Sequence, residues 1–253
     1  MNKEIANFFL KFSHDIIIIP ILVLGYIWLN RKLFYHTICI TLLSMIYSRA
    51  LKNYFQISSQ YGLAFPSGHT LTAATLYGYI ALQYRKKFLW FIACTILIML
   101  SYSLIYFGYH NIYHIAGGIF FAGLLIFLYD LALKNYPNIL KYSIIPLVII
   151  MLVYINYKQN IIMGYLWMVF YCLIGIFISE NYFCKEEGKL SIKEKILATL
   201  ICLTNGALAF FIFQHLLLAS YIYEIKWLII GASLPISRHL SKKLLSNYTS
   251  IIN

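Results

Sequence analysis

Two polar knots interrupt a chain otherwise rich in Ile, Leu, Phe and Tyr. The first, FPSGHT, spans residues 65–70, and the second, YHNIYH, spans residues 109–114. In the first knot, Pro66 suits the opening turn of a helix, where its missing N–H costs nothing. Gly68 lets a ligand approach the backbone. The amides of Ser67, Gly68 and His69 would then be free first-turn donors, and such amides hold anions. His69 adds a group able to give a proton near neutral pH. The plainer reading of the same residues is a proline-started helix with a histidine at a membrane interface.

His110 follows a glycine and precedes an apolar run, with His114 four residues on. One helical turn would bring the two histidines to the same side. That spacing also admits a metal pair, but no nearby carboxylate or cysteine completes a ligand set. Taken together, the knots suit phosphoryl transfer, with one imidazole attacking phosphorus and the other protonating the leaving oxygen.

The elements that must position these groups are apolar. The 253 residues are 62% hydrophobic and 11% charged. A soluble domain could not cover so much apolar surface, so the solvent is lipid. The fold class is all-α, a polytopic transmembrane helix bundle. Nine runs approach the length of a span: 15–30, 33–50, 66–84, 88–108, 111–133, 140–156, 161–179, 194–214 and 222–240. The first lacks a small-residue cleavage site and is followed at once by further spans, so it reads as a span and not as a signal peptide.

The net charge of +12 finds its reason in topology. With the N-terminus outside, 14 basic residues fall inside: Arg31, Lys32, Arg85, Lys86, Lys87, Lys134, Lys141, Lys185, Lys189, Lys193, Lys195, Arg238, Lys242 and Lys243. Six fall outside: Lys3, Lys11, Arg49, Lys52, Lys158 and Lys226. The bias predicts a plasma-membrane protein, such as one of a bacterial inner membrane, with the N-terminus out and the C-terminus in the cytoplasm. No nucleic-acid partner is needed. Both knots then face outward, as do His14 and His215. Residues 179–195 read as a solvated inner loop. Asn205 and Gln214 read as interhelical hydrogen-bonding groups. Cys39, Cys94, Cys172, Cys184 and Cys202 show no metal-ligand spacing and read as small apolar residues.

Residues 45–125 resemble the type-2 phosphatidic acid phosphatases, a family that includes bacterial lipid phosphatases and glucose-6-phosphatase. Its three motifs are a Lys followed by Arg-Pro; Pro-Ser-Gly-His; and Ser-Arg, five residues, His, three residues, Asp. Pro66-Ser67-Gly68-His69 matches the second motif intact. YSLIYFGYHNIYH aligns with the third, with His110 at the nucleophile, and Lys52 stands as the lysine of the first. The resemblance implies a catalytic pair, His110 and His69, and phosphate binding by Lys52, Ser67 and Gly68. It implies no metal and no cofactor, and a lipid phosphate or diphosphate as substrate. The phosphatase-like core would occupy residues 1–135, with four further spans over 136–253, much like the nine-span plan of glucose-6-phosphatase.

The departures from the motifs are specific. Ser59 and Gln60 replace the Arg-Pro of the first motif, Ser103 aligns with the Arg of the third, and His114 with its Asp. Each charge-assisted hydrogen bond is worth about 1.5–3 kcal/mol, so two lost arginines would slow turnover about 10²–10⁴-fold. Arg49, His114, Asp15, Glu224 and Glu4 are the available substitutes. His114 as the orienting group for His110 predicts activity falling below about pH 6.5, where an ordinary histidine protonates. Two other readings stand beside the enzyme: a non-catalytic relative that binds anionic lipid headgroups, and a transporter.

Overall fold

The computed structural model describes residues 2–60, 62–160, 162–183, 188–214 and 224–252. Cys184, Lys185, His215 and the side chain of Gln214 lie outside the described residues. The described chain is helical apart from one two-residue hairpin, and it packs as two compact units.

The first unit comprises Met1–Leu22 and Lys32–Ile162. Its helices are α1 (Lys3–Leu10), α2 (Asp15–Leu24), α3 (Arg31–Phe55), α4 (Gly68–Tyr84), α5 (Lys87–Tyr106), α6 (Ile112–Asn135) and α7 (Pro137–Gln159). A 3₁₀ turn, Lys11–Ser13, extends α1, and the chain breaks at His14, whose backbone is extended. The segments on either side of that break are bent by 46°. Between α3 and α4, β1 (Ser58–Ser59) pairs antiparallel with β2 (Gly62–Leu63).

Helix α4 lies at the centre of this unit, packed on α5 and α6, and is buried on nearly all sides. Its sequence explains this: Thr70, Thr72, Ala73, Ala74, Thr75, Gly78 and Ala81 are small, so neighbouring backbones come close, as between membrane helices. Gly118 of α6 faces the start of α4, where an added Cβ would lie 3.0 Å from the Ser67 carbonyl and from Thr70 Cβ.

Pro66 does not open α4, contrary to the sequence expectation. Ser67 is the N-cap, its hydroxyl accepting from the Thr70 amide (3.4 Å) and from Thr70 Oγ1 (3.0 Å). A serine hydroxyl satisfies an orphan first-turn donor, which proline cannot do, so the helix begins two residues later than proline alone suggests.

The second unit comprises Val23–Arg31 and Met163–Asn253, with helices α8 (Gly164–Phe183), α9 (Ile192–Gln214) and α10 (Lys226–Ile252). Helix α10 packs on α8 and α9. Gly175 and Gly231 permit the α8–α10 approach, since a Cβ on either would run into backbone of the facing helix, Leu228 or Cys172. A π turn, Gly25–Leu29, has its loosened carbonyls taken up by Arg238, which donates to Tyr26 O and Ile27 O, and by Lys195, which donates to Trp28 O. Glu180 accepts from Tyr26 Oη and pairs with Arg31.

Five helices among the described residues, α5 to α9, are long and apolar enough to cross a membrane. The bent pair Lys3–Ser13 and Asp15–Leu29 makes six if it is one span. The nine spans expected from hydropathy are therefore not all met. Helix α3 ends in Arg49 and Lys52, α4 has only 17 residues, and α10 carries a polar C-terminal half.

Candidate active site

Lys52 sits in the last turn of α3, which stops where Gln56 turns left-handed, its amide returning to Lys52 O. Ser48 lies one turn earlier. Both face the start of α4. A Cβ added to Gly68 would lie 3.1 Å from Ser48 Oγ and 4.0 Å from Lys52 Nζ. Glycine at 68 leaves room for Ser48 Oγ, and the ammonium lies beside the first turn of α4. Burial, and secondarily the charge of Arg49, brings the Lys52 pKa down to about 8.

At the first turn of α4, the three amides are not equivalent. The Ser67 amide donates to the His114 carbonyl at 2.9 Å and is not free. The Gly68 and His69 amides have no protein acceptor among the described residues. Ser67 itself is fully buried.

The second knot is shaped by the exit from α5. Gly108 adopts φ +71, a conformation glycine alone takes readily. The amides of Tyr109 and His110 fold back onto Leu104 O. Asn111 then caps α6, its Oδ1 accepting from the His114 amide at 3.0 Å. His110 therefore stands before the cap, not within a helical turn shared with His114. The two rings still meet edge to face, 5.6 Å apart.

Lys52, His69 and His114 all lie near enough to oppose a proton on His110. Together with burial, which is the larger cause, they bring its pKa down to about 4. At neutral pH His110 is an uncharged imidazole. Its Nδ1 is buried and has no hydrogen-bond partner, and the same holds for His114 Nδ1. No hydrogen bond joins the two histidines, so the orienting bond expected of His114 is absent. What His114 provides is its carbonyl to Ser67 and its ring against His110.

The other substitutes fare differently. Arg49 Nη2 donates to Gln159 Oε1 on α7, and Gln159 Nε2 donates to Asn53 Oδ1, each at 2.7 Å. Arg49 is thus turned to α7, acting on Lys52 through its charge. Asp15 lines an open pocket with Asn7, Lys11 and His14. Glu4 lies in the first turn of α1, and Glu224 belongs to the second unit. Counting back six residues from His110 also moves one motif position: the Arg of the third motif falls on Leu104, not Ser103. Ser103 stands at the motif's Ser, its Oγ donating to Met99 O.

An aromatic layer borders the site. Phe65 packs over Gly117, where a Cβ would come within 2.3 Å of its ring, and Phe55, Phe121 and His114 surround it. Two groups have no signal in sequence: Ser48, and Ser13, whose Oγ lies 3.2 Å from His69 Nδ1.

Residues 45–136 match the family model of the PAP2 superfamily. Over that segment, which is less than half of the chain, the sequence is similar to the PAP2 superfamily. No curated protein and no solved structure matches the chain. The matched segment runs from the end of α3 through α6, and so contains the ammonium of Lys52, the first turn of α4, His69 and His110. Ser13 and His14 lie outside it.

Proposed function

We propose that the chain is an integral membrane phosphatase that moves the phosphate of a lipid phosphate or diphosphate onto His110 and then to water. The observation that carries this reading is the convergence of Lys52, the unpaired Gly68 and His69 amides, and two histidines around one helix start. Lys52 and the two amides hold the non-bridging phosphate oxygens. The neutral His110 imidazole attacks phosphorus while His69 gives a proton to the leaving oxygen as the P–O bond breaks. Water then attacks the phospho-histidine, His69 takes its proton, and phosphate departs. No metal takes part.

The same reading places residues 1–135 as the catalytic core, with the site on the outer membrane face, and counts the remaining helices as further spans to a total of about nine. The test is phosphate release from a panel of lipid phosphates and diphosphates by the purified protein in detergent with EDTA. Release that vanishes in His110→Ala, together with a phospho-histidine formed only in the unaltered chain, is the expected result. Wild-type turnover by His110→Ala overturns it.

A second reading rests on the unpartnered Nδ1 of His110 and the two absent motif arginines. In that reading the site binds an anionic headgroup and does not turn it over. Saturable binding of phosphatidic acid without phosphate release from any member of the panel would favour it.

A further inference from the structure

Ser13 ends the 3₁₀ turn that extends α1, and it is only 9% exposed. Its hydroxyl donates to Leu10 O at 2.9 Å. A serine has one hydroxyl proton. With that proton on Leu10, Ser13 Oγ can only accept at its other contact, His69 Nδ1 at 3.2 Å. The hydrogen of the neutral His69 ring therefore sits on Nδ1, and Nε2 carries the lone pair.

The turn that holds Ser13 is fastened to α4 at a second point. Tyr77 Oη donates to Phe12 O at 2.8 Å, eight residues along α4 from His69. The chain then breaks at His14, whose ring lies 5.2 Å from that of His69. A segment clamped at both Phe12 and Ser13 is held in register with α4, which keeps Ser13 opposite Nδ1.

We infer that Ser13 is the positioning residue for His69, setting its tautomer so that Nε2 is the nitrogen that handles protons in the transfer. This rests on the phosphatase reading for its chemistry. The doubly protonated ring gives its Nε2 proton to the leaving oxygen and returns to the Nδ1–H form that Ser13 accepts from. Nε2 then takes a proton from the attacking water, and the ring is ready again. The charged and titratable groups facing His69 are His14 from the α1–α2 break, Lys52 from α3 and His110 from the α5–α6 turn. Among the described residues no carboxylate joins them, so a neutral hydroxyl does the holding.

The test uses the full-length protein, with Ser13→Ala and Ser13→Thr, on an alkyl lipid phosphate and on an aryl phosphate whose leaving group needs no acid. Ser13→Ala should lower kcat on the alkyl phosphate about 10–100-fold with KM nearly unchanged. The aryl phosphate should lose less than about threefold, and Ser13→Thr should restore the alkyl rate. Equal loss on both substrates, or none on either, overturns the proposal. A separate readout does not need turnover: the ¹⁵N signals of neutral His69 in the unaltered protein. They should report the Nδ1–H tautomer. The Nε2–H tautomer there would sink the role of Ser13, whereas absence of phosphate release beside an Nδ1–H signal would count against the phosphatase reading alone.

Discussion

The Ser67 amide donates to the carbonyl of His114 across 2.9 Å. Forty-seven positions apart in the chain, the two polar knots are thus joined through backbone, without a side chain. The bond takes up the Ser67 amide and sets the first turn of α4 against the first turn of α6. Gly118, one turn on from His114, leaves room for that approach.

Gly118→Ala should therefore damage the site through packing. Its Cβ would press on the Ser67 carbonyl and the Leu71 amide, both backbone atoms that cannot swing away. A loss of about 1–3 kcal/mol is expected, read as a lower melting temperature in detergent with reduced phosphate release. Gly123→Ala, with nothing within 4 Å, is the control and should melt like the unaltered chain.

The pH profile should be broad on the acid side. His110 has its pKa brought down to about 4, so the proposed nucleophile stays neutral well below pH 6.5. The fall below about pH 6.5 that His114 suggested in sequence loses its basis, since no hydrogen bond joins the pair. The effect on stability has the same direction. Between about pH 6.5 and 4 the unfolded chain binds the proton that folded His110 refuses, so stability drops as pH falls through that window and is level outside it. Rates measured from pH 4 to 7 decide between the two acid limits.

On the alkaline side, Lys52 should add a limb of its own, separate from the loss of the proton that His69 gives. Its pKa of about 8 means that the charge proposed to bind phosphate is lost above that pH, far below the range of an ordinary lysine. Activity should fall there while stability rises up to about pH 10.5, because unfolded Lys52 keeps a proton that the folded chain has already shed. Lys52→Gln should cost about 10–100-fold in kcat/KM and erase this limb.

Arg49→Gln tests the same lysine from its neighbour. Removing the guanidinium takes away a charge that opposes protonation of Lys52, so the alkaline limb should move to higher pH. A limb that stays at about 8 would mean that burial alone sets it.

His114→Asp restores the acid of the third motif beside His110. An anion there would stabilise a proton on His110, so the acid limb should move to higher pH, and a hydrogen bond to His110 should raise the rate. An unchanged profile in an active protein would show that residue 114 does not act on His110.

Much of this molecule was legible in its residues because the relevant physics is local. Apolar runs and scattered basic residues signal lipid around helices, since the cost of exposing or burying each side chain depends on its own type. Pro-Ser-Gly-His and His110 marked the proposed site for a similar reason: a capping hydroxyl, a glycine and an imidazole carry their chemistry wherever the chain places them. The tertiary structure alone decided which groups meet. Lys52 comes to rest against Gly68, Ser13 reaches His69 from outside the matched segment, Arg49 turns to Gln159, and His114 offers His110 a ring and not a hydrogen bond. Such contacts join residues far apart in sequence, and they depend on how closely glycines such as Gly118 let helices approach. No local pattern records that distance, and the charge and tautomer of each histidine follow from it.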